Sequence, residues 1–75
     1  MKASEIKAGK VYRKDEIKSR IVLSDTGDSV LYMEVFDCNG QFIVGHCLKT
    51  SFGSWAKICI GDKLPVNPTI RVGSE

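Results

Sequence analysis

Apolar and polar positions alternate most clearly between Val30 and Leu48, VLYMEVFDCNGQFIVGHCL, where two β-branched and aromatic runs flank Asp37-Cys38-Asn39-Gly40. The pattern predicts a β-hairpin, with strands over roughly residues 29 to 37 and 41 to 49. Two registers compete, and a shift of one residue exchanges the faces. A two-residue Asn39-Gly40 loop places Leu31, Met33, Val35, Phe42, Val44 and Leu48 on one face, together with Asp37 and His46. A three-residue loop with Gly40 in the left-handed bulge position pairs Val35 with Ile43 and Leu31 with Cys47. The second register is preferred because Leu31, Met33, Val35, Ile43, Gly45 and Cys47 then share a face without ionisable groups. Its other face carries Val30, Tyr32, Glu34, Phe36, Phe42, Val44, His46 and Leu48. In either register both faces are largely apolar, which a meander with one wet side does not need. The second face therefore calls for cover by a helix, by barrel closure or by another chain.

Elsewhere the pattern is coarser. Residues 1–9 read as a polar lead-in with Ser4 able to cap one turn, Val11 and Tyr12 as a short strand, and Asp15 as the cap of a helical turn ending near Ser19. The apolar run around Ile21-Val22-Leu23 leads into a dense turn cluster, Asp25-Thr26-Gly27-Asp28-Ser29. Phe52, Trp55, Ala56 and Cys59 recur at helical spacing, which predicts a short helix over 52–59 with Ser51 as N-cap. Gly53 weakens that helix, and a strand would instead turn Ile58 and Ile60 to one side. Pro65 and Pro68 keep the tail out of any central strand and leave Thr69 to Val72 as a candidate edge strand. The expected fold is a small, mainly β, α+β domain. It comprises an antiparallel sheet of three to five strands, curved or partly closed in the manner of an SH3-like barrel, with one short helix near residues 52–59. Residues 1–75 read as a single domain whose segments 1–9 and 62–75 are less ordered than the rest.

Seventy-five residues bury a small core, and a disulfide framework, a metal or self-association commonly supplements one of that size. Cys38, Cys47 and Cys59 cannot all pair within one chain, and there is no CxxC, secretory signal or membrane-length apolar run. These features predict a cytoplasmic protein whose cysteines are small buried hydrophobes. The charge of +2 is uneven: residues 1–20 hold seven bases against three acids, and the remainder four against six. Lys7, Lys10, Arg13, Lys14, Lys18 and Arg20 are accordingly the candidate phosphate contacts of a nucleic-acid-binding alternative. Tyr12-Arg13-Lys14 is the place where an aromatic and bases are contiguous.

Candidate chemistry is sparse. Asp25-Thr26-Gly27, after Ile21-Val22-Leu23 and ahead of Phe42-Ile43-Val44-Gly45, resembles the active-site triplet and later hydrophobic-hydrophobic-glycine element of the small dimeric retroviral aspartic proteases. The resemblance implies one Asp from each of two chains sharing a proton and activating a water. Ser24 stands where that family has an apolar residue, Asp28 stands where it has a small one, and the chain is short for a flap plus a dimerising sheet. The triplet is therefore read as a turn and Asp25 as structural. His46 and Cys47 are adjacent in a strand, so their side chains point apart and do not form a catalytic pair. One histidine and three scattered cysteines lack zinc-site spacing, and the glycines form no phosphate loop. The chain reads as a non-enzymatic interaction module without cofactor, metal or small-molecule ligand. The expected partner is a second copy, through an interface of Tyr32, Phe36, Phe42, Val44 and His46.

Overall fold

The computed structural model describes residues 1–66 and 68. A 3-10 turn at Ala3–Glu5 precedes β1 (Val11–Arg13), β2 (Lys18–Asp25), β3 (Ser29–Phe36) and β4 (Phe42–Leu48), then helix α1 (Lys49–Trp55) and β5 (Ile58–Gly61). The strands form one antiparallel sheet in the order β4-β3-β2-β1-β5, so the last strand returns beside the first, as the expected SH3-like architecture requires. β2 carries a bulge at Leu23: Val22 pairs with Tyr32, Ser24 with Leu31 and Asp25 with Val30. The extra residue bends the strand and strengthens its twist.

The helix lies over the inner face of the sheet. Ile6, Tyr12, Val22, Val30, Phe52 and Ala56 form the buried cluster, with Tyr32, Cys47 and Trp55 packed against it. Phe52 is its centre, edge-on to Tyr12 at 5.5 Å and to Tyr32 at 5.6 Å between ring centroids, and tilted against Trp55 at 5.6 Å. Such pairs contribute about 0.5–1.5 kcal/mol each beyond the area they bury. The Tyr12 hydroxyl donates to the Glu5 carbonyl at 2.9 Å and accepts from the Lys7 N–H at 2.8 Å, fixing the N-terminal segment over the core.

The helix begins three residues earlier than the period of its apolar positions suggests. Leu48, not Ser51, is the N-cap, and it makes no side-chain capping bond. The predicted face survives, since Phe52 and Ala56 are buried. Residues 58 and 59 belong to β5 instead, because the Lys57 N–H donates to the Arg13 carbonyl at 2.9 Å and pairing with β1 takes over from the helix. Gly53 sits where the chain's start crosses the helix: a Cβ there would lie 2.5 Å from the Met1 carbonyl oxygen. The Met1 ammonium donates to the Gly53 and Ala56 carbonyls at 2.8 and 3.2 Å, which places a positive charge at the helix C-terminus.

The hairpin register also differs from the preferred one. Val35 pairs with Phe42, Met33 with Val44, Leu31 with His46 and Val30 with Cys47. The loop is one residue longer than expected: the Gly40 N–H donates to Phe36 O and the Phe36 N–H to Gln41 O, both at 2.8 Å, with Gly40 at φ 73°. Asp37 is held away from the ladder, its N–H on the Ile17 carbonyl and its carboxylate on the Arg13 guanidinium. Leu31, Met33, Val35, Phe42, Val44 and His46 consequently share the outer face, the grouping of the two-residue-loop alternative. Asp15 caps no helical turn; its carboxylate accepts from the Ile17 N–H at 2.9 Å in a bend before β2. The Thr69 to Val72 candidate strand lies outside the described residues.

Candidate interaction surface

On the inner face, the part of the sheet beyond the helix is filled by a charged cluster. Arg20 lies between Trp55 and Tyr32, its guanidinium carbon 4.1 and 4.4 Å from the two ring centroids and 5.7 Å from that of Phe52. Its Nε donates to Glu34 Oε1 at 2.6 Å, and Lys18 Nζ is 3.6 Å from Glu34 Oε2. Arg20 and Glu34 face each other in the β2–β3 ladder, so the strand register itself brings them together. Lys18 Nζ also lies 5.8 Å from the centre of the Phe36 ring.

This arrangement divides both predicted residue sets. Tyr32 and Phe36 are on the inner face, whereas Phe42, Val44 and His46 are on the outer one, so the five do not form one patch. Of the six bases, Arg13 is paired with Asp37 and Lys18 and Arg20 with Glu34, leaving Lys7, Lys10 and Lys14 exposed. Tyr12 is buried and offers no stacking platform beside Arg13 and Lys14.

The outer face carries a cross-strand row running Val11, Ile21, Met33, Val44 from β1 to β4. Exposure rises along it: Val11 is fully buried, Ile21 and Met33 are half-buried, and Val44 is 57% exposed. Leu48 on the same face is exposed to a similar degree, and Leu31 beside His46 is also open, whereas the equally exposed Ile43 lies opposite Glu34 on the inner face. From Phe42 to Leu48 the strand holds no formal charge, and among the described residues no strand pairs with its free edge. Ile43, Leu48 and Leu31 are absent from the predicted interface, although the unbroken absence of Asp, Glu, Lys and Arg from 38 to 48 is visible in the sequence.

The other candidate groups are occupied locally or stand apart. Asp25 accepts from the Gly27 N–H at 2.8 Å and pairs with Lys49 Nζ at 2.6 Å, and the Thr26 N–H and hydroxyl both donate to the Ser29 carbonyl. The Asp25-Thr26-Gly27 segment is thus a turn tied to the start of α1. The Lys49 contact, with help from the Gly27 N–H, holds the Asp25 carboxyl below its usual range. Cys47 points to the inner face and His46 to the outer one. Contrary to expectation none of the three is fully buried: Cys47 is partly buried, which pushes its thiol up, and Cys38 and Cys59 are exposed. An open groove of about 350 Å³ lies between the segment that follows β1 and the start of β5, bordered by Arg13, Lys14, Asp15, Glu16, Lys57 and the isoleucines of β5. Its charges are of both signs, and Asp15 is already engaged with the Ile17 N–H. No group of three or more metal-ligating His, Cys, Asp or Glu side chains occurs among the described residues. None of their helices is long and apolar enough to cross a membrane. No family model matches the chain, and neither a curated protein nor a solved structure shows significant similarity to it.

Proposed function

We propose that the protein is a small non-enzymatic interaction module that works as a self-associated pair. The observation that carries this reading is the gradient of exposure along the outer apolar row, which ends in the open, uncharged strand β4. An unpaired strand edge flanked by exposed apolar side chains is a template for pairing with another chain. Pairing of Arg13 with Asp37 and of Lys18 and Arg20 with Glu34 weighs against the nucleic-acid alternative, because of the six candidate bases only Lys7, Lys10 and Lys14 stand outside these ion pairs. Three free thiols, two of them exposed, suit a reducing, cytoplasmic setting. Light scattering at low and high salt separates the two readings. Apolar association keeps the mass at twice that of one chain in both, whereas phosphate binding weakens steeply with salt and leaves the free protein monomeric. A single chain's mass at both salts would reject self-association.

A further inference from the structure

We infer that the pair is built by strand addition: β4 of one chain pairs antiparallel with β4 of the other about a twofold axis through Gly45. This rests on the self-association reading and specifies its geometry. The sheet has two edges among the described residues, and they are protected differently. β5 is four residues long, meets β1 through a bulge and is flanked by Lys57, Asp62 and Lys63. Short length, bulges and nearby charges all blunt an edge. β4 is seven residues long, has no irregularity in its pairing with β3 and contains none of the charged or proline residues that discourage pairing.

The direction of the free main-chain groups selects the register. The Phe36–Gln41 hydrogen bond closes the hairpin, and the Lys49 N–H donates to the Asp28 carbonyl at its far end. Hydrogen-bonded pairs alternate along an antiparallel ladder, so Ile43, Gly45 and Cys47 use their peptide groups on β3. Those of Phe42, Val44, His46 and Leu48 point to the open edge. An axis at Gly45, the midpoint of Phe42–Leu48, sets Val44 against His46 of the second copy and Phe42 against its Leu48. Every outward peptide group is then matched over the whole strand, and no two ionisable side chains meet. An axis at Val44 leaves Leu48 unpaired, and an axis at His46 sets the imidazole against itself. Gly45 tolerates the close approach of two chains, while on its own chain the Tyr32 hydroxyl occupies the space where a Cβ would project. Ile43, more than half exposed in one chain, comes to lie beside Cys47 of the second copy.

The test is disulfide trapping with Ile43→Cys in a Cys38→Ser, Cys59→Ser background, oxidised with diamide. The proposed register predicts a covalent dimer linked between position 43 and Cys47, identified by peptide mass. Val44→Cys in a background with all three native cysteines replaced by serine should trap poorly. Val44→Pro removes an outward N–H without breaking the β3–β4 ladder, and should weaken dimerisation more than tenfold with an unchanged circular dichroism spectrum. A dimer in sedimentation that gives no 43–47 link, or one trapped more readily by the Val44→Cys variant, or one indifferent to Val44→Pro, would overturn this geometry and leave self-association standing. A monomer at every concentration would overturn both.

Discussion

Arg20 and Glu34 sit opposite each other on neighbouring strands, joined at 2.6 Å, with the guanidinium stacked between Trp55 and Tyr32. Both are largely buried, their side chains 15% and 5% exposed. An ion pair in such a place stabilises little relative to a well-packed apolar pair, but removing one partner strands the other charge. Glu34→Gln should therefore cost about 2–4 kcal/mol, read as a lower urea midpoint. Arg20→Lys should also destabilise, because an ammonium lacks the planar stacking surface. An unchanged midpoint in both would show that the cluster is not what closes this end of the sheet.

Gly53→Ala offers a sharper contrast, because helix propensity and packing oppose each other. Alanine is favoured in a helix interior by about 1 kcal/mol. Here its methyl group would meet the Met1 carbonyl at 2.5 Å, a backbone atom that cannot swing aside. The net expectation is destabilisation, on the order of 1–2 kcal/mol. A raised thermal midpoint would mean that the N-terminal residues do not hold their place over α1.

Tyr12→Phe removes one hydroxyl and leaves two backbone groups, Glu5 O and Lys7 N–H, without that partner. The loss should be about 1–3 kcal/mol. Burial also holds the phenol above its ordinary range. The folded state then prefers the neutral form, so its contribution is fully present below about pH 10 and is lost as pH rises through the folded value. Urea titrations of both proteins on either side of about pH 10 should show the wild type losing more stability than the phenylalanine variant. Parallel curves would contradict this.

Asp25 has the opposite sign. Lys49 holds the carboxyl ionised to lower pH than usual, so its contribution is present above the unfolded carboxylate value and is lost as pH falls through the folded one. Asp25→Asn retains an acceptor for the Gly27 N–H but loses the Lys49 pair. Its stability should fall less steeply than the wild type's below about pH 4, with self-association intact at neutral pH. Loss of the dimer in this variant would give the turn a role at the interface.

The sequence carried the hairpin, the Asp25 to Ser29 turn and the apolar face of α1, because each rests on local periodicity and turn chemistry. It did not carry the hairpin register. That is decided by Asp37, drawn toward Ile17 and Arg13, residues distant in the chain and fixed only once β1 and β2 are in place. The end of α1 is hidden for a related reason: β1 captures Ile58 and Cys59, the last two residues of the predicted helix. The basic N-terminal segment looks like a single footprint because composition does not reveal Glu34 and Asp37 folding back onto it. Of the interface, Phe42, Val44 and His46 lie on the open strand, whereas Tyr32 and Phe36 belong to the side occupied by α1, Arg20 and Lys18.

If β4 brings two copies together, the mass of the unmodified protein depends on its concentration. Sedimentation velocity of the unmodified protein over about 1–100 µM measures it directly, since a reversible pair shifts with concentration by mass action. Pairing through β4 gives a weight-average mass rising from that of one chain, 8.3 kDa, to twice that value and no further. One species at 8.3 kDa across the whole range would contradict it.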